Sequence, residues 1–290
     1  MMNHEINRAF KNRILTGGPV LMPGAANALA ARITEDLGFE AVYLSGAGLT
    51  NTFFAMPDMG FVGLSDIAQH TATIRDATEL PIVVDADNGF GNALNVCHTI
   101  RTLERAGASA VQLEDQATPK RCGHFSDQQV VPLKEARSRI RAAVDARQNE
   151  NTLIIARTDA RATAGLTEAL ERASAFIEDG ADITFVEAPL SIGEMCKIPV
   201  ALNETPQLVN LVVGGKTPIL TLDELGEMGF SLVLYANVAL QAAIHGMQIA
   251  LGQLKETGKM DQDGPLASFL ERQRMVRKDH FDKLEQRYAF

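Results

Sequence analysis

Eight short β-rich runs recur along this chain with helical stretches between them, and that alternation constrains the fold more than any other feature. The runs are PVLMPGA (19–25), AVYLSG (41–46), PIVVDAD (81–87) and AVQLEDQ (110–116), then TLIIARTD (152–159), ITFVEAP (183–189), QLVNLVV (207–213) and SLVLYAN (231–237). Between them lie patterns such as ALNVCHTIRTLERAG (93–107), which closes on a glycine. LTEALERASAFIEDG (166–180) is another, with Thr167 as its expected N-cap and Gly180 at its end, and TLDELGEMG (221–229) repeats the scheme in miniature. Strands at intervals of roughly 20 to 40 residues, each followed by a helix, predict an α/β fold, a single (β/α)8 TIM-type barrel forming one domain over residues 1–290. A doubly wound sheet would carry a glycine fingerprint after its first strand. The nearest candidate, SGAGLTN (45–51), follows the second run and has Asn51 at the third glycine position. The charged tail from Pro265 to Phe290 exceeds what a barrel needs. It predicts a C-terminal helical extension over 256–290 that packs on a neighbouring subunit or closes one end.

Composition narrows the function classes. A length of 290 residues fits two average domains or one large barrel, and 46% apolar residues are ample for a core. The net charge of −9 argues against a nucleic-acid partner, since phosphate binding needs clustered Lys and Arg. An anionic small molecule remains open, because a pocket can oppose the overall sign. No run approaches the roughly 18–20 apolar residues of a membrane helix, and MMNHEINRAFKNRIL has no signal-type apolar region. Three widely spaced cysteines (Cys97, Cys122, Cys196) suit a reducing compartment, so the expected location is cytoplasmic.

In such a barrel the active site lies where the C-terminal strand ends converge. Those ends carry Ser45, Asp85 with Asp87, Glu114 with Asp115, Arg157 with Asp159, Glu187, Asn210 and Tyr235. Singly, each reads equally well as a cap or turn residue; together they form the signal. Strand alternation puts Asp85 and Asp87 on one side, roughly 6–7 Å apart. With Glu114 they make a cluster that repels itself unless protonated or bound to a cation. All-oxygen ligation suits Mg²⁺, or Mn²⁺. Arg157 can clamp a carboxylate in bidentate fashion, or pair with Glu187 to stiffen the rim.

PKRCGHF (119–125) places Cys122 among Lys120, Arg121 and His124. Zinc would need two further ligands in familiar spacing, and none is present. An incidental surface cysteine competes with an activated thiol whose acidity the surrounding positive charge increases. A thiol so placed can give up and recover a proton near neutral pH. The 117–131 segment is long enough to act as an active-site lid.

The motifs LSGAG, PDMGF, VDADNGFG, LEDQ with PKRCGH, ARTDA and NLVVGGKTP resemble the isocitrate lyase and phosphoenolpyruvate mutase superfamily, in order from about residue 8 to 255. KRCGH after EDQ is similar to its carbon–carbon lyases. The resemblance implies that Asp85 and Asp87 hold Mg²⁺ with Glu114 behind them. It implies a substrate cradle of Ser45, Gly46, Ala47, Asp58, Gly123, Arg157, Glu187 and Asn210. Cys122 would be the proton donor to the departing carbanion, with Lys120 and His124 beside it. The base for the substrate hydroxyl stays open among Tyr43, Glu114 and a metal-bound hydroxide. The family's barrels exchange C-terminal helices within homotetramers, which would account for the tail.

Two departures from the family pattern bear on the substrate. Isocitrate and methylisocitrate lyases carry Glu where NLVV has Val213, and methylisocitrate lyases place an arginine where this chain has Gln241. GGKTP instead resembles enzymes acting on 2-alkylmalates and 2,3-dimethylmalate, and Val213, Phe53 and Phe54 would suit an alkyl group. The expected function is a Mg²⁺-dependent lyase for such a 2-hydroxy dicarboxylate. The alternatives are 2-methylisocitrate lyase, then a carboxyphosphonate-type phosphonomutase or oxaloacetate decarboxylase, and outside enzymes a metabolite-binding barrel without turnover.

Overall fold

The β-rich runs form eight parallel strands: β1 (Val20–Ala25), β2 (Val42–Leu44), β3 (Ile82–Asp85), β4 (Ala110–Glu114), β5 (Leu153–Thr158), β6 (Ile183–Val186), β7 (Gln207–Asn210) and β8 (Leu232–Tyr235). Each pairs with the next, and β8 pairs with β1 from Val20 opposite Leu232 to Pro23 opposite Tyr235, closing the barrel. The computed structural model describes residues 2–118, 120, 128–202, 205–260 and 264–289. The expected barrel is present.

Strands buried on both faces read as near-continuous Val, Ile and Leu runs, and here alternate positions feed different cores. Val20, Met22, Val83, Ile155, Ile183 and Leu232 point into the barrel. Val42, Leu44, Val84, Val111 and Ile154 point outward against the helical layer, where they meet Ile67, Ile74, Ile100 and Leu103. The described helices of that layer are α2 (Ala28–Asp36), α3 (Gly46–Phe54), α4 (Leu64–Ala77), α5 (Ala93–Ala106), α6 (Leu133–Ala146), α7 (Ala160–Ala164), α8 (Leu166–Glu178), α9 (Ile192–Ala201) and α10 (Leu222–Met228). A preceding helix, α1 (Met2–Thr16), closes the N-terminal end of the barrel with Phe10 and Ile14.

Helix boundaries follow their capping chemistry. Asn92 caps α5 by accepting from Leu94 and Asn95, and Gly107 ends it at φ +106, where a Cβ would collide with the Arg75 side chain. Thr221 and Glu224 form a capping box for α10. Thr167 is not the N-cap of α8: the helix begins at Leu166 after Gly165, whose φ of +89 favours glycine. α11 (Val238–Thr257) is the helix that follows β8, and beyond it the C-terminal extension holds α12 (Phe269–Met275) and α13 (Lys278–Tyr288). None of the three buries a residue within the chain. Arg274 and Asp36 tie α12 to α2 at 2.5 and 2.7 Å. Among the described residues no helix is long and apolar enough to cross a membrane.

Candidate active site

The strand ends converge as the topology requires. After β2, Ser45 caps α3 by accepting from the Gly48 amide at 3.1 Å. The first turn of α3 then lies against two carboxylates. The Gly46 amide is 3.4 Å from Asp85 Oδ2, and a Cβ at Gly46 would sit 3.3 Å from Asp87 Oδ1 and 3.4 Å from Asp85 Oδ2. Glycine thus permits the positive end of a helix to approach two acids. Asp85 and Asp87 do share a side, but not through strand alternation. β3 stops at Asp85, and Asp87 turns back at φ +47, its amide donating to Asp85 Oδ1 at 3.2 Å.

Lys120 lies buried between Asp58 and Asp87, 2.7 Å from an oxygen of each. Burial works against its charge, yet Asp87, Asp85, Glu114 and Asp58 together hold it protonated far beyond the ordinary lysine range. Sequence placed Lys120 beside the thiol; its described partners are these carboxylates, and its charge offsets theirs. Even so, burial, helped by Asp85, pushes Asp87 up to about 7. Burial also pushes Glu114 well above the carboxylate range, with Arg157 opposing and Asp159 adding to the rise.

Arg157, at the end of β5, is encircled by acids. It grips Asp159 by two bonds of 2.9 and 2.8 Å, with Glu114 at 3.5 Å, Glu187 at 3.8 Å and the Phe185 ring 5.2 Å below. Burial opposes its charge and is outweighed, Asp159 first and then Glu187 and Glu114 holding it firmly cationic. Its nearest partner is therefore Asp159 rather than Glu187. Tyr43 donates to Gln112 Oε1 at 2.9 Å, and Gln112 donates to Asp85 Oδ1 at 3.3 Å. Burial and the nearby Asp85 push the Tyr43 phenol well above its ordinary range, so it keeps its proton at neutral pH.

A cavity of about 40 Å³ brings together Tyr43, Ser45, Ala47, Asp58, Asp85, Glu114, Lys120, Arg157, Glu187 and Asn210, all expected from sequence. Gly46 and Asp87 are not among its lining residues, though Gly46 lies against Asp85, which is, and against Asp87. Cys122, Gly123 and His124 lie outside the described residues. Sequence reasoning missed Gln112, Phe185, Val212, Leu234, Ala236 and Asn237. Gln112 had a signal: it is a polar residue amid AVQLE, sharing Ala110's inward face. Three residues invoked for specificity do not line the cavity: Val213 is 58% exposed, and Phe53 and Phe54 are each 48% exposed. Gln241 is also exposed, on α11.

Among the described residues no three His, Cys, Asp or Glu side chains gather closely enough to form a ready-made metal cluster. The donor set nevertheless fits a hydrated Mg²⁺, which binds through few carboxylates and several waters. Glu114 Oε1 is buried with no hydrogen-bond partner, and so are Asn210 Oδ1 and Asn237 Oδ1 on the cavity wall. Such orphaned acceptors are costly unless a ligand or water meets them.

Comparison with known proteins identifies the family. The family model for phosphoenolpyruvate phosphomutase matches residues 10–255. The chain is 39% identical to 2,3-dimethylmalate lyase of Eubacterium barkeri, over 98% of this chain and 99% of that protein. It is 42% identical to 2-methylisocitrate lyase of Aeropyrum pernix, over 82% of this chain and 76% of that protein. A crystal structure of 2,3-dimethylmalate lyase superposes with a TM-score of 0.91 at 31% identity, covering 100% of this chain and 96% of the other. The chain belongs to the phosphoenolpyruvate mutase and isocitrate lyase superfamily.

Proposed function

We propose that this protein is a Mg²⁺-dependent carbon–carbon lyase. Its substrate is a small 2-hydroxy dicarboxylate of the 2,3-dimethylmalate or 2-alkylmalate type, cleaved to pyruvate or another 2-oxo acid plus a carboxylate. The observation that carries this reading is the make-up of the cavity wall. Its described cations are Arg157 and Lys120, both already engaged by acids, and its apolar members are Ala47, Phe185, Val212, Leu234 and Ala236. A third substrate carboxylate would meet no described cation there, and an unpaired buried charge costs several kcal/mol. An alkyl group would meet Val212 and Leu234. The case against a tricarboxylate thus rests on these residues and not on Val213 or Gln241.

Asp85, Asp87 and Glu114 would hold Mg²⁺, which supplies Lewis acidity toward the substrate's C2 hydroxyl and carboxylate. Ser45, Gly46 and Ala47 bind a carboxylate at the start of α3. Loss of the hydroxyl proton forms the C2 carbonyl as the C2–C3 bond breaks, and the electron pair moves into the carboxylate on C3. Arg157 and Asn210 stabilise that developing charge. Tyr43 retains its proton and so is not the base; Glu114 would take that role only once it has given up the proton that burial favours in the metal-free protein. Cys122 protonates C3, and His124 assists.

The active unit in this reading is a homotetramer with exchanged C-terminal helices. The motivation is α11, none of whose residues is fully buried in its own chain and which exposes Ile244, Met247, Ile249, Leu251 and Leu254.

The deciding assay follows 2-oxo-acid release with Mg²⁺ from 2,3-dimethylmalate, 2-alkylmalates, methylisocitrate, oxaloacetate and phosphonopyruvate. Highest kcat/KM on an alkylated malate supports the proposal. Highest kcat/KM on methylisocitrate transfers it to methylisocitrate lyase, the reading that the Aeropyrum pernix relative favours. Cys122→Ser should lower turnover by about 10²–10⁴ with substrate still bound; turnover at the wild-type rate would remove the cysteine from the mechanism.

A further inference from the structure

Arg172 lies on α8, in the outer helical layer, and does not line the cavity. It is 6% exposed, and its Nε and Nη1 are committed to three partners. Nε donates to Glu168 Oε1 at 2.8 Å, while Nη1 donates to the Val131 carbonyl at 2.9 Å and to Asp115 Oδ2 at 3.3 Å. Val131 and Asp115 are the two roots of the 117–131 segment. The Val131 amide donates to the Asp115 carbonyl at 2.9 Å, the Ala117 amide to the Gln129 carbonyl at 2.8 Å, and Gln116 pairs antiparallel with Val130.

Asp115 carries the connection inward. Its Oδ2 also accepts from the Thr158 hydroxyl at 2.7 Å, and its Oδ1 accepts from the Asp159 amide at 2.9 Å. Asp159 in turn holds Arg157 Nε and Nη2, which leaves Nη1 turned toward Glu187. A continuous set of bonds thus runs from a helix outside the barrel to the cation inside it. Stability is a weak reason for such a network, because buried ion pairs are often replaceable by apolar groups at no loss. Orientation is a better one, since misplacing a charged group by an ångström is costly in a binding site.

We propose that Arg172 is a positioning residue. Through Asp115 it sets the Asp159 backbone, and so the direction in which Arg157 offers its remaining N–H groups to a ligand carboxylate. Through Val131 it ties that direction to the root of the 117–131 segment. The inference rests on Arg157 being a carboxylate clamp but not on which acid the enzyme cleaves.

Oxalate, a dianion with two adjacent carboxylates that has no bond for a lyase to cleave in this way, separates the two questions. Its affinity in the presence of Mg²⁺ is measured by calorimetry on wild type, Arg172→Met, Asp159→Asn and the double variant, well below each melting transition. Arg172→Met is expected to weaken oxalate about tenfold, and the double variant no more than the weaker single, because both changes release the same guanidinium. Wild-type affinity in Arg172→Met, or a double loss equal to the product of the singles, would overturn the proposal. If Arg172→Met does not fold, Arg172→Lys carries the test, keeping the charge but not the three-way fork. Its expected loss is about threefold, with the same non-additivity. Wild-type protein that takes up no oxalate would overturn Arg157 as the clamp and this inference with it. Failure of the substrate panel alone would leave the oxalate result standing.

Discussion

The two ends of the barrel are built from the same strands and solve opposite problems. At the N-terminal end, Phe10 and Ile14 of α1 pack on Val20, Met22, Leu153 and Ile183, with Phe10 and Ile14 only 3% and 4% exposed. A buried polar link there is Asn7, which donates to the Ala108 carbonyl and the Thr152 hydroxyl. At the C-terminal end, Asp85, Asp87, Glu114, Asp159 and Glu187 are buried together around Lys120 and Arg157. One end lowers the free energy by removing apolar surface from water. The other raises it by desolvating like charges, which is tolerable because the closed end and the outer core supply the stability. Conserving stability and performing chemistry are thus assigned to opposite faces, as expected of this architecture.

That division can be broken from either side. Glu114→Gln removes from the active end a buried carboxyl whose ionised form burial disfavours. Turnover should fall by about 10²–10³, while the melting temperature of the metal-free protein holds or rises. A parallel fall in both would mean that Glu114 also supports the fold. Phe10→Ala strikes the closed end and should cost about 3–5 kcal/mol of stability. Below the new transition kcat/KM should match wild type, and a loss of activity in folded protein would show that the ends are coupled.

The smallest effect is a pH dependence. Burial raises Asp87 to about 7, so the folded metal-free protein binds that proton more tightly than the unfolded chain does. Its contribution is fully present below the unfolded value of about 4 and is lost as pH rises through about 7. Mg²⁺ favours the ionised carboxylates, so the gain in melting temperature on adding it should be larger at pH 8 than at pH 6. Calorimetry with and without chelator reads this directly, and an equal gain at both values would remove Asp87 from the ion's surroundings.

The barrel was legible because its signal is local. Each strand is a short Val-, Ile- and Leu-rich run, and all eight runs contain the strand expected of them. Much of the site was legible for the same reason, since topology alone sends Asp85, Glu114, Arg157 and Asn210 to one face. What lies one or two residues past a strand was not. Asp87 leaves the extended conformation, and Val212 rather than Val213 reaches the cavity. Thr167 failed as a cap because Gly165, two residues earlier, reaches a positive φ more readily.

By itself the sequence determined which residues could be strands and helices, and which polar groups stand at the strand ends. Hydrophobic periodicity and capping act over a few residues, so they can be read in order along the chain. Only the tertiary structure decided the pairings. Lys120 meets Asp58 from 62 positions away, Gln112 joins Tyr43 to Asp85, and Arg172 reaches Asp115 across 57. Such contacts depend on where separate elements come to rest in the closed barrel. The charges they bring together then set one another's protonation through a desolvated interior, which no single stretch of sequence contains.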